Sequence, residues 1–185
     1  TPRAVRHSIE AGVKCIDHGQ LLDDATAKLM AEKGIWWSLQ PFLDNKPSTN
    51  PEGSPNRLKQ LEMFKGTDTA YALAKKYKIK TAWGTDILFD AEMAAKQGDE
   101  LAVMTRWYSP AEALKMATAD NAELLALSGP RTAYAGKLGV VEEGALADLL
   151  LVDGDPIANL KLVTDPAKNF VVIMKDGKIY KNTVK

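Results

Sequence analysis

Cysteine, histidine and surplus charge are all scarce in this chain of 185 residues. The single cysteine, Cys15, cannot form an intramolecular disulfide, which excludes a disulfide-stabilised scaffold. The 24 lysine and arginine residues are balanced by 24 aspartate and glutamate residues, and no basic run exceeds two residues, so we expect no nucleic-acid partner. No stretch approaches the ~18 apolar residues that span a bilayer, so we expect no membrane partner.

The chain begins at Thr1 rather than at a methionine, which predicts that an upstream segment is missing. Without that segment the compartment is undetermined between cytoplasm and periplasm. Hydrophobic residues make up 45% of the chain and charged residues 26%, a composition typical of a globular protein. We therefore expect a packed core in one or two domains.

Residues 1–108 alternate short apolar runs with longer helical patterns, as is typical of β/α units on a parallel sheet. Three strands are predicted, at 13–18, 35–40 and 80–86. After the first strand, Asp23 or Asp24 starts a helix that ends at Gly34. A long helix over 57–78 is predicted to lead into the third strand.

A polar loop of 13 residues, from 44 to 56, separates the second strand from the long helix. Its residues are turn formers, and so long a loop is uncommon in a compact domain. Such loops often act as a lid or as a binding segment. An excursion without a role is the alternative interpretation.

The last third of the chain combines explicit helix starts with short strands. Ser109-Pro110-Ala111-Glu112 predicts a capped helix that begins at Pro110, and the segment at Asp120 predicts a second start at Ala122. Short strands are predicted at 137–141, 147–152, 171–175 and 178–181. Asp176-Gly177 predicts a hairpin turn between the last two strands.

His18 and Asp86 are the side chains best placed for chemistry. Each ends a predicted strand, and in β/α barrels the carboxyl ends of the strands face the active site. An imidazole and a carboxylate on one rim suit Zn²⁺ or a similar divalent ion, and the carboxylate can also act as a base toward water. A hydrogen-bonded structural role for His18 is the alternative. His7, among charged residues of the first helix, is predicted to be exposed.

Cys15 and the tryptophans are predicted to have structural rather than catalytic roles. Cys15 lies three residues before His18 in the same strand, so it is predicted to face the opposite side and to be buried and inert. No Gly-x-Ser-x-Gly segment is present, which excludes the nucleophile elbow of serine hydrolases. Trp36, Trp37 and Trp83 lie in or beside strands and are predicted to pack in the core.

Five motifs carry a resemblance to a known family. In chain order they are Ile16-Asp17-His18-Gly19, Trp83-Gly84-Thr85-Asp86, Ser109-Pro110-Ala111-Glu112-Ala113-Leu114, Ala117-Thr118-x-x-Asn121-Ala122 and Gly136-Lys137-Leu138-Gly139-x-x-x-x-Gly144-x-x-Ala147-Asp148-Leu149-x-x-x-Asp153-Gly154-Asp155-Pro156. Together they resemble the C-terminal half of a metal-dependent amidohydrolase, of the imidazolonepropionase-like or Xaa-Pro dipeptidase (prolidase-like) branch. The last motif is the most specific, because it marks the β module that flanks the barrel in this superfamily.

The resemblance implies a (β/α)₈ barrel with one or two divalent metal ions. In the family the ligands are a His-x-His pair on the first strand, a carboxylated lysine on the fourth, histidines on the fifth and sixth, and an aspartate on the eighth. His18 matches the sixth-strand histidine, a metal ligand, and Asp86 matches the eighth-strand aspartate, a metal ligand and the general base. Zinc is the expected metal, with Mn²⁺, Co²⁺ and Fe²⁺ as alternatives.

The expected fold class is α/β: the C-terminal part of a (β/α)₈ TIM-type barrel plus a small β-sandwich portion. Residues 1–129 are assigned to the barrel, with strands six to eight and their helices, and residues 130–185 to the flanking sandwich domain. A barrel alone takes ~250 residues, so we expect a fragment that lacks the other ligands. Its open sheet edges favour a homo-oligomer or association with the missing N-terminal half.

The predicted function is hydrolysis of an amide C–N bond, in a dipeptide or an N-acyl amino acid, by metal-activated water. The substrate is a small molecule, and Gln40, Trp37 and Phe89 are predicted to bind it. A non-catalytic chain for assembly or regulation, without a complete metal site, is the alternative from another class. Among enzymes, a deaminase or a cyclic-amide hydrolase is the alternative.

Overall fold

A computed structural model describes residues 1–45, 47–88 and 90–184. The chain divides into two compact units, Thr1–Gly84 and Thr85–Lys185. The boundary predicted between residues 129 and 130 concerns family domains and stays a prediction. In the part of the chain that is described, no helix has both the length and the apolar character needed to cross a membrane.

The first unit alternates helices with strands, as predicted. Its elements are α1 (Pro2–Glu10), β1 (Cys15–Asp17), α2 (Asp24–Glu32), β2 (Trp36–Leu39), α3 (Pro55–Lys76) and β3 (Thr81–Trp83). The strands form a parallel sheet in the order β1-β2-β3, with Ile16 opposite Trp37 and Ser38 opposite Ala82. Each strand is shorter than its apolar run, because the run also includes the residues that lead into and out of the sheet.

Capping residues set where the helices of this unit begin. Asp23 accepts a hydrogen bond from the backbone N–H of Thr26 and starts α2, which confirms the predicted position. Ser54 accepts one from the N–H of Arg57, so α3 begins at Pro55, two residues before the predicted start. Proline suits this first helical position, since it has no N–H to satisfy.

The core of the first unit lies around its central strand. Trp36, Trp37 and Leu39 of β2 are 4%, 0% and 0% exposed, and Met30 of α2 and Tyr71 of α3 are both fully buried. A parallel strand covered on both faces reads as a continuous apolar run, which explains the sequence of β2. The predicted core role is confirmed for both tryptophans.

The second unit contains short helical segments and an antiparallel sheet. The helices are α4 (Ala91–Ala94), α5 (Gln97–Val103), α6 (Pro110–Lys115), α7 (Asn121–Leu125) and α8 (Pro166–Asn169). The strands are β4 (Leu149–Val152), β5 (Phe170–Lys175) and β6 (Lys178–Asn182), in the order β4-β5-β6. 3₁₀ segments lie at Met104–Arg106, Ala126–Arg131 and Leu160–Thr164, and the second of them is kinked at Gly129.

Both helices predicted here are observed, but only the first has the predicted cap. Ser109 and Glu112 form the full capping box, and α6 begins at Pro110. The second helix, α7, begins at Asn121, one residue before the predicted start, and continues from α6 through a π-helical turn over Met116–Asp120. Asp120 keeps helical backbone angles there, and its carboxylate pairs with Lys115 instead of capping α7.

The strand predicted at 137–141 is wrong. This segment forms only an isolated bridge between Lys137 and Ala145. Gly139 interrupts the extended chain with φ of 73°, and a Cβ at that position would lie 2.5 Å from the carbonyl oxygen of Thr118. A glycine is therefore required at the point where this segment approaches the π-helical turn.

The three remaining predicted strands and the hairpin are confirmed. Asp176 and Gly177 have φ of 49° and 73°, the pair of positive values that a tight hairpin turn demands. Asp148 stabilises this turn: its carboxylate accepts hydrogen bonds from the backbone N–H of Asp176 at 2.7 Å and from Nζ of Lys175 at 2.6 Å. These contacts give Asp148, part of the most specific family motif, a structural role.

Candidate functional site

His18 lies directly after β1, at the carboxyl end of the parallel sheet. Its backbone N–H donates to the carbonyl oxygen of Ser38 at 2.9 Å, and its own carbonyl oxygen accepts from Nε1 of Trp37 at 2.6 Å. Its φ is 66°, a left-handed value that a residue without β-branching tolerates at a turn. The backbone of His18 is thus held on both sides by the buried strand β2, while the side chain is exposed.

Two buried glutamines lie beside the imidazole. Nδ1 of His18 is 2.8 Å from Oε1 of Gln40, and Nε2 of Gln20 donates to the same oxygen at 3.5 Å. Nε2 of Gln40 donates to the carbonyl oxygen of Ser38 at 3.3 Å. Gln20 and Gln40 are only 4% and 5% exposed, so this small polar network is shielded from water.

A tight turn brings an aromatic ring against the imidazole. The N–H of Phe42 donates to the carbonyl oxygen of Gln40 at 2.9 Å, which folds the chain back around Pro41. The rings of Phe42 and His18 then lie nearly parallel, with an interplanar angle of 20° and centroids 6.1 Å apart. Phe42 is half-buried and forms an apolar wall beside His18.

Asp86 belongs to the opening segment of the second unit, three residues after the end of β3. It is exposed and has φ of 53°, so its backbone is left-handed like that of His18. Both predicted ligands therefore follow a strand of the parallel sheet in the sequence and both adopt a conformation that L-residues seldom take. Such backbone positions occur often at functional sites.

The predicted substrate-binding residues have different surroundings. Gln40 and Trp37 both contact His18, through the side chain and the backbone respectively. Trp37 exposes none of its surface within this chain, so its observed role is to support His18. Phe89 lies outside the described residues. Substrate contact by these three side chains stays a prediction.

The surroundings of His18 fit a metal ligand. Oε1 of Gln40 can only accept a hydrogen bond, so a hydrogen bond across this contact has its proton on Nδ1. Metal-binding histidines usually have their second ring nitrogen held by such an acceptor. Within 1–45, 47–88 and 90–184, however, no group of three or more histidine, cysteine or acidic side chains could hold an ion. The described residues thus provide a fitting ligand and not a complete set.

The polar loop that follows β2 is anchored by one arginine. Arg57 of α3 is 9% exposed, and its guanidinium donates to Oδ1 of Asp44 at 2.7 Å and to Oε1 of Gln60 at 2.9 Å. Glu52 pairs with it at 3.7 Å. Ser48 in turn donates to Gln60 at 2.7 Å. Both ends of the loop are therefore bonded to α3. A loop without a role would not need this anchoring.

His7 is exposed as predicted, whereas Cys15 is half-buried rather than buried. Burial raises the pKa of the Cys15 thiol to about 11, with a further contribution from the charge of Asp17. The thiol is half-buried and stays protonated at neutral pH, so it is a poor nucleophile. His7 is exposed on α1.

Sequence reasoning missed two residues of the site, Gln20 and Phe42. Each lies two residues from a predicted site residue, His18 or Gln40, on the loop that follows a strand. That proximity was the available signal, since loops at the carboxyl ends of parallel strands carry site residues. The hydrogen bond of Gln20 to Gln40 could not be read from spacing, because the two lie on different loops.

Comparison with known proteins identifies relatives along the whole chain. A family model described as "Amidohydrolase family" matches residues 1–185. Ochratoxinase of Aspergillus niger is 30% identical over 177 residues, which cover 94% of this chain and 35% of the ochratoxinase. The chain therefore spans about a third of the length of this curated relative.

Solved structures agree with this family match. A prolidase crystallised with N-methylphosphonate-L-proline superposes with a TM-score of 0.81 at 28% identity, covering 99% of this chain and 44% of the prolidase. A Xaa-Pro dipeptidase with bound methionine in its active site superposes with a TM-score of 0.76 at 26% identity, covering 98% of this chain and 43% of the dipeptidase. These similarities imply part of a TIM-barrel-type enzyme fold.

Proposed function

Because the chain belongs to the amidohydrolase family, we propose that the natural protein containing it hydrolyses an amide C–N bond in a dipeptide or an N-acyl amino acid. The oriented imidazole of His18, in a chain that matches the family over its full length, is the observation that carries this proposal. The names of the relatives support the substrate class, since a prolidase and a Xaa-Pro dipeptidase act on dipeptides.

In this proposal the strands β1, β2 and β3 are the sixth, seventh and eighth strands of the barrel. Their parallel order along one sheet agrees with three consecutive barrel strands. Residues 1–129 then belong to the barrel, and residues 130–185 to the flanking β domain. The antiparallel sheet β4-β5-β6 supports the second assignment, because it differs in type from the sheet of the first unit.

His18 and Asp86 are the proposed metal ligands of this chain. The family is generally metal-dependent, and a bound divalent ion, proposed to be zinc, would polarise the amide carbonyl and acidify water. His18 would bind through Nε2, the ring nitrogen opposite the one that Gln40 holds. The further ligands would come from parts of the natural protein beyond these residues.

Asp86 is the proposed general base. It takes a proton from water as the water oxygen bonds to the amide carbon, and it passes that proton to the nitrogen as the C–N bond breaks. The products are a carboxylic acid and a free amine, so atoms and charge balance. Its exposed position at the start of the second unit is compatible with access for water.

The chain offers a matched pair of histidines to test the metal role. We expect His18→Gln to remove most of the bound metal and turnover from the natural protein, while His7→Gln, on the exposed face of α1, leaves both unchanged. Elemental analysis and an assay for released amino acid provide the two readouts. Full metal content and turnover in His18→Gln would contradict the proposal.

Product analysis distinguishes the reaction classes. Release of a free amino acid from an N-acyl amino acid or a dipeptide supports the proposal. Release of ammonia would indicate a deaminase instead, and opening of a cyclic amide without loss of a fragment would indicate a cyclic-amide hydrolase. Failure of every amide substrate in a metal-loaded natural protein would favour an assembly or regulatory chain.

Association with another chain is also proposed, as a homo-oligomer or with the rest of a barrel. The supporting observation is that β1 and β3, the outer strands of the described parallel sheet, each pair on one side only in the described residues. Light scattering on the 185-residue chain tests this proposal. A strictly monomeric chain at high concentration would contradict self-association.

A further inference from the structure

The segment 40–44, which follows β2, is fixed at both ends and carries Phe42 between them. We propose that Arg57 is a positioning residue: by binding Asp44, it keeps Phe42 beside His18 as an apolar wall for the side chain of the substrate. This inference rests on the proposed function, in which His18 lies at the reaction centre. It adds to that function a preference for an amide substrate with an apolar side chain.

Burial fixes the first end of the segment. Leu39 and Gln40 are 0% and 5% exposed, and Pro41 is buried as well. The N–H of Phe42 donates to the carbonyl oxygen of Gln40 at 2.9 Å, which closes a tight turn around Pro41. The φ that the proline ring imposes suits the centre of such a turn. The chain therefore leaves the core in a set direction just before Phe42.

Arg57 fixes the second end of the segment. Its Nη2 donates to Oδ1 of Asp44 at 2.7 Å, and its Nη1 donates to Oε1 of Gln60 at 2.9 Å. The Nε of Arg57 is 3.7 Å from Oε2 of Glu52. Two acidic side chains and one amide oxygen thus surround the guanidinium.

The burial of Arg57 makes its contact with Asp44 stronger than an ordinary surface ion pair. The side chain of Arg57 is 11% exposed and that of Asp44 is 41% exposed. Among the described residues, Arg57 is the one charged residue that is buried. A guanidinium out of water needs its acceptors, because a buried charge without a partner is costly. Asp44 is therefore held by a partner that does not readily exchange it for water.

The helix that carries Arg57 is itself held by the core. Arg57 is the third residue of α3, and farther along this helix Thr67 and Tyr71 are both fully buried. A Cβ added at Gly66 would lie 2.4 Å from the carbonyl oxygen of Gln20, so the helix backbone lies directly against the loop after β1. Arg57 is therefore anchored independently of the loop that it binds.

With both ends of the segment fixed, Phe42 lies beside the imidazole. Its ring is nearly parallel to that of His18, with an interplanar angle of 20° and centroids 6.1 Å apart. Phe42 is half-buried, so part of its surface remains accessible to a ligand. An aromatic ring stabilises apolar side chains by burying their surface and gives a carboxylate no partner. Residues 44–56 are polar apart from glycine and proline, so they offer no comparable surface.

NMR on the 185-residue chain tests the positioning role without substrate or metal. The nuclear Overhauser cross-peak between the ring protons of Phe42 and His18 reports their contact. His7→Gln identifies the His18 signals, because the chain has two histidines. We expect the cross-peak to be present in the unaltered chain.

Variants of the ion pair then test the cause. We expect the cross-peak to be lost in Arg57→Met and in Asp44→Ala, because either change releases the second end of the segment. Arg57→Lys, which keeps a charge near Asp44, should retain more of the contact than Arg57→Met. Lys59→Met, at an exposed position of α3, is the matched control and should leave the cross-peak unchanged. Amide spectra of each variant establish that it is folded.

Kinetics of the natural protein test the role of the wall. The probes are N-acetyl-leucine and N-acetylglycine, or the dipeptides glycyl-leucine and glycylglycine, which differ only in the apolar side chain. We expect Phe42→Ala and Asp44→Ala each to raise the KM of the leucine compound by about tenfold with a much smaller change in kcat, the scale on which apolar pockets discriminate. The KM of the glycine compound should change far less.

The inference is overturned by an absent cross-peak in the unaltered chain, or by an unchanged one in folded Asp44→Ala. It is also overturned by equal changes in KM for the leucine and glycine compounds, or by hydrolysis of neither leucine compound. Because Asp44 is exposed, Asp44→Ala decides the matter even where Arg57→Met does not fold. A natural protein that keeps its metal and turnover in His18→Gln would instead refute the proposed function, a result on which the cross-peak does not depend.

Discussion

The two sheets of this protein are stabilised in different ways. In the first unit, three of the four residues of β2 are buried, and Met30 of α2 and Tyr71 of α3 are fully buried. In the second unit, none of the residues of β4 and β5, nor of β6, is buried, and Leu150 and Leu151 are 55% and 53% exposed. The first sheet depends on its core, whereas the second depends on backbone pairing, a hairpin turn and the contacts of Asp148.

This difference bears on how His18 is held. A ligand must be held to within a fraction of an ångström, and only close-packed surroundings supply that accuracy. The side chain of His18 is exposed, but its backbone has such support because both of its hydrogen bonds go to β2, the most buried strand. The exposed sheet of the second unit provides no comparable support for a site.

The difference in packing between the two sheets can be tested with the same substitution, leucine to alanine, in each sheet. We expect Leu39→Ala in β2 to lower the free energy of unfolding of the first unit by about 2–5 kcal/mol, because it leaves a cavity in a fully buried position. Leu151→Ala in β4, half-exposed at 53%, should lower stability by less than about 1 kcal/mol. Urea unfolding followed by circular dichroism measures both. Equal losses would show that the second sheet is as well packed as the first.

A second test compares two glycines that each let a helix touch a backbone carbonyl. Gly66 of α3 faces the carbonyl oxygen of Gln20, and Gly98 of α5 faces that of Val163, so an added methyl group overlaps in both places. We expect each change to alanine to destabilise its own unit by about 1–3 kcal/mol, although alanine is the better helix former.

The two glycine variants should differ in their effect on the site. Gly66→Ala displaces Gln20 and should shift the NMR signals of the His18 ring, whereas Gly98→Ala should leave those signals unchanged. Thr69→Ala, at an exposed position of α3, serves as the control for an ordinary alanine substitution. A stabilising effect of Gly66→Ala would mean that α3 does not lie against the Gln20 loop.

A third test concerns the charged contacts of the second sheet. Hydrogen bonds from Lys175 and from the N–H of Asp176 hold the pKa of Asp148 below its ordinary value of 3.8. The folded state therefore binds this proton less readily than the unfolded state, so the stabilisation is present above pH 3.8 and is lost as the pH falls through the folded pKa. Asp148→Asn should remove this contribution, and the difference from the unaltered chain should close in acid.

Acid titration of thermal unfolding measures that difference. The exposed Asp153→Asn is a control for the change of one charge. The contrary result is a difference in stability between Asp148→Asn and the unaltered chain that stays constant down to the most acid pH. That result would show that the carboxylate of Asp148 is not the stabilising species.

The smallest expected effect is at Cys15. Burial raises the pKa of its thiol from 9.0 to about 11, so alkylation should be slow at pH 8 compared with a free thiol. Stability that comes from the protonated buried thiol is complete below pH 9.0 and falls as the pH rises to about 11, because the unfolded thiol ionises first. Cys15→Ala should lack this loss. Rapid labelling of the folded chain at pH 8 would contradict the burial of the thiol.

The sequence predicted most of the first unit because its signals are local. Caps such as Asp23 and Ser54, and the continuous apolar run of β2, each act within a few residues. His18 and Asp86 were accessible for the same reason, since the end of an apolar strand can be read directly. The family motifs added the roles that are predicted for these two residues.

The errors arose where distant residues decide the local structure. The segment 137–141 has an apolar pattern, yet its approach to Thr118 requires a glycine with positive φ and prevents a strand. Asp120 resembles a cap, but its carboxylate pairs with Lys115 inside a continuous helix. The hydrogen bonds between Gln20, Gln40 and His18 join two loops, and spacing along the chain contains no record of such contacts.

The central claim is that this chain supplies part of an amide-hydrolysing site, and the turnover of Asp86→Asn in the natural protein tests it most directly. The account predicts a loss of about 10²–10⁴-fold in amino acid release, the contribution of a positioned general base, with normal turnover in Asp99→Asn, an exposed residue of α5. Asparagine keeps the size of the side chain and removes its basicity. Turnover in Asp86→Asn equal to that of the unaltered protein would contradict the account.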